Sequence, residues 1–427
     1  MVLAERKYSE AISAIDILET AGFEAKMAGG CVRDRLLGIE PRDFDVATTA
    51  QPDQVCKVFA AAGKKIVPTG FDHGTVTLVM PSGPVEITTL RIDLETFGRH
   101  ATVALGTSFK EDAARRDFTI NAMFEDKNGV VTDFFSGQKD LAAKTLRFVG
   151  DPETRIKEDY LRIMRLFRFW ARFDFQPAPG TLKSVAACRE GLRQISQERI
   201  TSELNGIFCS AIAAKVIAAM KDSGVLQVIF PEFAASKIHL IDVAAWGHIQ
   251  KIKTPSDRFA AAMSLFLAIN GVDSSARIKS MVTRLKLSKN DLKKILYLFN
   301  IQSSIPAADA AQSLCMDFLD RADNVFGQKS AWLEIVKHYL SALSLEFKID
   351  LEPQMKKITL IEQDKSHLRF ADLPINTHEM IKILGLQPGP EVGEFLEALR
   401  SSYRNEEWFS RPEGEAWLRK RVRITGL

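Results

Sequence analysis

Two hydrophobic periods divide this chain. In the first third, apolar and polar residues alternate in "GTVTLVM" and "PVEITTLR" on either side of the turn residues "PSG", and again in "INAMFED" and "VVTDFF" on either side of "KNG". A period of two that is interrupted by turn formers predicts two β-hairpins. The opening segment "MVLAERKYSEAISAIDILETAG" instead places Ile12, Ile15 and Leu18 at helical spacing. After Gly150-Asp151-Pro152 the helical period takes over. "EDYLRIMRLFRFWARF", "SQERITSELNGIFCSAIAAKVIAAM" and most of the remaining chain read as helices, broken at "DFQPAPG", "SSIPAADAA" and "GLQPGPEVG". The pattern predicts an α+β portion followed by a long all-helical one.

Size and composition narrow the picture only a little. At 427 residues with 46% hydrophobic content the chain exceeds one ordinary core, which implies two or more packed units. A net charge of +3 permits a nucleic-acid partner if the basic residues cluster, without requiring one. Two clusters exist. "ARIKSMVTRLKLSKNDLKK" gathers Arg277, Lys279, Arg284, Lys286, Lys289, Lys293 and Lys294, and "WLRKRVRI" gathers Arg419, Lys420, Arg421 and Arg423. Each is also what a solvated helix face looks like. Cys31, Cys56, Cys188, Cys209 and Cys315 are odd in number and lack C-x-x-C spacing, which argues against a disulfide framework or a zinc site and for a reducing compartment. The charged N-terminus is unlike a signal peptide, and no segment is apolar for long enough to span a membrane, so the cytoplasm is the expected location.

The candidate chemistry lies in "GGCVRDRLLGIEPRDFDVATTA" (29–50). "FEAKMA" before it reads as a strand, and "VRDRLLG" as a short helix ending at Gly38. Glycines between strand and helix let backbone N–H groups approach an anion, and Arg33 could pair with a phosphate oxygen. Asp43 and Asp45 are two residues apart, so on a strand both carboxylates share one face. Such a pair is costly without a cation between. Magnesium, usually held by one or two carboxylates plus substrate phosphates, is the natural candidate. Downstream, Arg115 and Arg116 precede Asp117 in "EDAARRDFTINAMF", either as a structural ion pair or as charge around a triphosphate. In "KEDYLRIMRLFRF", Asp159 and Arg162 are three apart, as neighbours on one helix face, and Arg165 and Arg168 continue the row. An Asp acceptor beside an Arg donor can read adenine or cytosine, each of which presents an amino donor next to a ring-nitrogen acceptor, and mismatches guanine and uracil.

In their order these motifs resemble those of the class II tRNA nucleotidyltransferase and bacterial poly(A) polymerase family: G-G-x-V-R-D then D-x-D (Gly29 to Asp45), R-R-D-F-T-x-N-A (Arg115 to Ala122), D-x-x-S-G-x-x-D-L (Asp133 to Leu141), E-D-x-x-R-x-x-R (Glu158 to Arg165) and E-R-I-x-x-E-L (Glu198 to Leu204). The resemblance covers roughly the first half of the chain. It implies a nucleotidyltransferase head with a small mixed β-sheet over residues 1–148, a helical neck carrying the base-reading helix over 149–240, and a helical body and tail that bind tRNA over 241–427. By the same resemblance Asp43 and Asp45 bind Mg2+ and carry catalysis. Gly30 and Arg33 contact the nucleotide, Arg116 lies near the triphosphate, Asp159 and Arg162 read the base, and Arg165 and Arg168 support the pocket. Asp133 and Asp140 are assigned to linking head and neck, Glu198 and Arg199 to bracing the neck helices, and Cys31 to packing.

The implied reaction is attack of an RNA 3′-hydroxyl on the α-phosphate of CTP or ATP with release of pyrophosphate, helped by metal ions and needing no protein nucleophile. Three outcomes share the motifs: adding CCA to tRNA, adding only part of it, or polyadenylation. The interval "RIDLETFGRHATVALGTSFKED" is full length for the family's flexible loop, which favours complete CCA addition; the modest net charge argues against a poly(A) polymerase. The seven scattered histidines, His73 and His100 included, do not suggest an appended phosphohydrolase domain. Two readings from other classes are a catalytically silent RNA-binding protein and a transferase acting on a protein or small molecule.

Overall fold

The computed structural model describes residues 2–97, 100–105, 108–233, 238–304, 329–348, 377–385 and 411–425, with isolated positions between 351 and 402. They form two compact units. One comprises Met1–Ile241 with Ile269–Val272 and Ala276–Leu287; the other comprises Asp242–Ala268, Asp273–Ser275 and Ser288–Leu427.

In the first unit, α1 (Val2–Thr20) buries Ala11, Ala14, Ile15 and Leu18. It is followed by β1 (Ala25–Ala28), α2 (Gly30–Leu36), β2 (Asp45–Thr48) and α3 (Pro52–Ala61), whose first turn is set by Pro52 and by reciprocal bonds between Gln51 and Gln54. Next come β3 (Ile66–Val67), β4 (Thr75–Met80), β5 (Gly83–Thr89), β6 (Arg91–Phe97), β7 (His100–Leu105), α4 (Phe109–Ala114), β8 (Met123–Glu125) and β9 (Val131–Asp133). Both hairpins read from alternation are present, β4 with β5 and β8 with β9. They join one seven-stranded mixed sheet in the order β3-β4-β5-β2-β1-β8-β9, in which β2 and β5 run parallel and the other pairs antiparallel. The interval read as a flexible loop holds a two-stranded hairpin, β6 with β7, and the start of α4; Gly98, Arg99, Gly106 and Thr107 lie outside the described residues.

The helical part of this unit begins with α5 (Gly137–Ala142) and α6 (Pro152–Glu158), then α7 (Leu161–Phe173), α8 (Thr181–Cys188), α9 (Gln197–Phe208), α10 (Ala213–Asp222) and α11 (Val225–Ile229). The segment from Ser196 to Met220, read as helical, forms two helices, parted at Cys209–Ile212. Gly137 starts α5 against Thr119, whose carbonyl a Cβ at that position would overlap. Asp133 accepts the backbone N–H groups of Phe135, Gly137 and Gln138, and Asp140 accepts Thr119 Oγ1 at 2.7 Å and the Arg147 guanidinium. Helix α7 is strongly two-faced. Leu161, Ile163, Met164, Leu166, Phe167 and Trp170 are buried, while Arg162, Arg165, Arg168 and Arg172 recur every three or four residues on the other side.

The second unit contains α12 (Val243–Gln250), most of α13 (Pro255–Ile269), α15 (Lys289–Ser304), α16 (Lys329–Phe347), α17 (Thr377–Leu384) and α18 (Arg411–Thr425); most of α14 (Ser275–Arg284) belongs to the first. Tyr339 is fully buried with its hydroxyl 2.8 Å from Ser264 Oγ, and Lys294 pairs with Asp257 in the interior. No helix among the described residues is long and apolar enough to cross a membrane.

Candidate active site

The turn between β1 and α2 is built as its glycines suggest, for a further reason than backbone freedom. Gly29 has φ 73°, and a Cβ there would overlap Nη1 of Arg116, which donates to the Asn121 carbonyl at 3.2 Å. Gly30 lines a cavity of about 550 Å³. Arg33 reaches the same wall but is only 3% exposed. Its guanidinium lies over the rings of Phe169 and Phe173 and donates to Asp34 through Nε at 2.8 Å and to Asn121 Oδ1 through Nη1. It is committed to interior partners rather than projecting toward a ligand. Cys31 is buried, with its thiol pushed up to about 11 by burial. That suits a packing residue.

The two aspartates do not share a strand face. Strand β2 starts at Asp45; Asp43 precedes it, exposed, and is not part of the cavity wall. Asp45 lines the cavity and stands beside Glu86, its register partner on β5, which lines it too. Burial, then the Glu86 charge, push the Asp45 carboxyl up to about 6; Arg116 opposes this and Asp43 adds to it. Asp45 therefore sits among acids without enough positive charge. Glu86 is not singled out by the sequence, because nothing in "PVEITT" shows that the strand runs parallel to β2 with glutamate opposite aspartate.

Five arginines of the cavity, Arg115, Arg116, Arg162, Arg165 and Arg199, each come with an acid. Asp112 takes both Arg115, at 2.6 Å, and Arg116, at 2.9 Å. Burial raises its carboxyl, the Arg116 and Arg115 charges outweigh burial, and the net position is below the ordinary range. Asp117 receives Arg165 at 2.5 Å and Asn121 Nδ2 at 3.0 Å; burial opposes ionisation here as well, yet Arg165 and these bonds hold the carboxyl low. Asp159 and Arg162 both line the cavity, but not as neighbours on one helix. Asp159 lies in the break between α6 and α7 with extended backbone, where Oδ1 accepts the Leu161 N–H at 3.0 Å and Oδ2 accepts Arg199 at 2.7 Å. Arg162, in the first turn of α7, donates to Glu158 Oε2, to the Arg155 carbonyl at 2.8 Å and to the Arg115 carbonyl at 3.1 Å. Arg199, read from the sequence as a brace, also lines this cavity.

Arg168 is elsewhere. It donates to Glu203 at 3.1 Å and lines a second cavity, of about 530 Å³, with Arg42 and Arg172. The first basic cluster is divided between the two units, and several of its members are engaged. Lys294 is buried against Asp257, Arg284 forks onto Glu232 at 2.7 and 2.9 Å, and Arg277 donates to the Gly271 carbonyl. Arg419 and Lys420 are exposed on α18; the side chains of Arg421 and Arg423 lie outside the described residues.

Comparison with known proteins gives this arrangement a family. Residues 25–147 match the poly A polymerase head domain, and residues 174–237 match the domain described as the probable RNA and SrmB-binding site of polymerase A. The mitochondrial CCA tRNA nucleotidyltransferase 1 of Homo sapiens is 32% identical over 403 residues, which covers 92% of this chain and 85% of that protein. The CCA-adding enzyme of Streptococcus suis (strain 05ZYH33) is 30% identical over 392 residues, 91% of each chain. Among solved structures, the Bacillus stearothermophilus CCA-adding enzyme in complex with CTP superimposes with a TM-score of 0.74 at 27% identity, covering 98% of both chains. The Thermotoga maritima CCA-adding enzyme complexed with tRNA shares the fold, with a TM-score of 0.66 at 21% identity. From the mixed sheet, the paired arginines and relatives that match it over nine-tenths of its length, the chain belongs to the family of CCA-adding tRNA nucleotidyltransferases and poly(A) polymerase heads.

Proposed function

We propose that this enzyme adds C, C and A to the 3′ end of tRNA from CTP and ATP, releasing pyrophosphate, and that the first cavity is where it does so. The observation that carries the reading is that one cavity gathers Asp45 and Glu86 of the sheet with Arg116, Arg162, Arg165, Arg199 and Asp159. The acids suit a divalent cation, because the Asp45 carboxyl is held up at about 6 by burial and neighbouring acids and accepts no hydrogen bond among the described residues. No set of three or more ligating side chains converges among the described residues; Asp45 with Asp43 or Glu86, completed by substrate oxygens and water, is the donor set magnesium favours. When bound there, Mg2+ would supply Lewis-acid activation of the 3′-hydroxyl and charge stabilisation on the phosphates.

The chain's own residues then position the nucleotide. Arg116, fixed by Asp112, offers its outer edge to the triphosphate. Arg162 has given three of its five N–H donors to Glu158 and two carbonyls, which leaves Nε and one Nη2 proton for a base. Asp159 keeps lone pairs for the amino group of cytosine or adenine while Arg199 and the Leu161 N–H hold it still. In the same reading Gly30 admits the phosphates closely, Arg33 anchors the wall, and Arg165 supports it. Residues 1–148, 149–240 and 241–427 serve as head, neck, and body with tail. A cytoplasmic setting belongs to the proposal too, supported by Cys31, Cys56, Cys188 and Cys209, all of which remain thiols.

The test is to supply the purified protein and magnesium with tRNA transcripts ending before CCA, after C and after CC, with CTP and ATP singly and together. Ordered addition of C, C and A, with little use of GTP or UTP, is expected. Arrest after two cytidines, addition of A alone or long A tails would reassign the activity within the family; no incorporation would overturn it.

A further inference from the structure

The second cavity has a charge pattern that the catalytic reading leaves unused. Its wall includes Arg42, Arg168 and Arg172, with Phe173, Asp174 and Ser210. Asp174 is neutralised by Lys215 at 3.0 Å, and Ser210 is already spent on the Ala171 carbonyl and the Ile212 N–H. The three arginines are under-used by comparison. Among the described residues Arg42, which is exposed, has no side-chain partner; Arg168 makes one bond, to Glu203, and Arg172 one, to Asp34 at 2.8 Å. Most of their fifteen N–H donors are therefore unengaged among the described residues, beside a cavity much larger than one phosphate.

Two of these cations are also held in place. The Arg172 guanidinium lies 4.7 Å from the Phe173 ring centre, and its partner Asp34 is gripped from behind by buried Arg33, which reaches Asn121, Asp117 and finally Arg165 in the first cavity. Arg168 rests its side chain on Gly206 of α9, where a Cβ would press on it. Cations fixed in advance lose little freedom on binding an anion. Moreover, Arg165 of the first cavity and Arg172 of the second are seven residues apart on α7, about 10 Å along its axis.

We propose that the Arg42–Arg168–Arg172 groove receives backbone phosphate of the RNA whose 3′ end enters the first cavity. The proposal rests on the RNA-extending reading above. It names a surface other than either basic cluster of the sequence, and it predicts recognition of RNA shape rather than sequence.

The experiment compares wild-type protein with Arg42→Glu and with the double variant Arg42→Gln/Arg172→Gln, using a labelled tRNA transcript lacking CCA. Affinity is measured from 50 to 300 mM salt, and CTP binding without RNA is measured alongside. A fall of tenfold or more in tRNA affinity, a shallower dependence of log Kd on log salt, and unchanged CTP binding are expected. Unchanged tRNA affinity and slope in a folded variant would overturn the proposal. So would variants that keep tRNA affinity but lose inhibition by inorganic pyrophosphate, since the groove would then serve a free anion. Failure of the wild-type protein to bind tRNA at all would instead sink the reading on which the proposal rests.

Discussion

Replacing Asp45 with asparagine is expected to stabilise the metal-free protein while abolishing activity. The carboxyl is raised from 3.8 to about 6 by burial and by Glu86, so its ionised form is disfavoured in the fold by at most about 3 kcal/mol. Because the side chain is partly accessible, solvent reduces this to roughly 1–2 kcal/mol. The sign follows from linkage. Below about pH 4 the group is protonated both folded and unfolded and contributes nothing; the penalty grows as pH rises and is complete above about 6. Asparagine carries no such penalty at any pH. Thermal melts in chelator should therefore show Asp45→Asn melting a few degrees above wild type at pH 7.5, with the gap closing as the pH is lowered toward 4. Magnesium should raise the wild-type midpoint and leave that of the variant where it is. A variant that melts no higher than wild type at pH 7.5, or a gap that does not depend on pH, would refute the reasoning.

Other outcomes follow from the paired charges and the packing. Asp112→Asn leaves Arg115 and Arg116 beside a neutral amide and should destabilise the fold by about 3 kcal/mol near neutrality. The folded carboxyl is depressed, so the contribution of Asp112 is present above about pH 4 and lost as pH falls further, and urea titrations at pH 7 and pH 3.5 should show the difference shrinking. Arg199→Ala frees Asp159 from one of its two anchors. It should raise the relative kcat/KM for UTP and GTP by on the order of tenfold while the fold survives, and equal discrimination by variant and wild type would contradict the positioning role. Gly137→Ala forces a Cβ onto the Thr119 carbonyl and should cost about 1–3 kcal/mol, readable as a lowered melting point. Iodoacetamide at pH 8 should leave Cys31 unmodified in the folded protein, because its buried thiol ionises only near 11.

What the sequence disclosed and what it withheld divide along a physical line. The β4–β5 and β8–β9 hairpins were legible because alternation and turn residues are local, and α7 was legible because its arginines and apolar residues separate cleanly at helical spacing. The head fold and its family were legible in motif order. Pairings across distance were not. Nothing near Asp45 announces Glu86, 41 positions away on a parallel neighbour. Arg33 looked available to a phosphate because Phe169, Phe173 and Asn121, which enclose it, arrive from other elements. Asp159 was placed on a helix because the pattern continues through "KEDYLRIMR", yet the chain breaks there and extends the residue toward Arg199. Arg168 followed the same row as Arg165, but the turn of the helix carries it to a different cavity. Spacing along a helix gives a face and not the neighbour that face will meet.

The pairing of most arginines in the first cavity with an acid has a consequence for how such a site can change. Arg116 with Asp112, Arg165 with Asp117, Arg162 with Glu158 and Arg199 with Asp159 are couples in which removing the acid leaves a cation without that counter-charge. Single substitutions of these acids are therefore penalised twice, once in function and once in folding. A route to a different nucleotide preference has to exchange both members of a couple together. Libraries built on doubles should yield folded, re-specified proteins where libraries of singles yield mostly damaged ones.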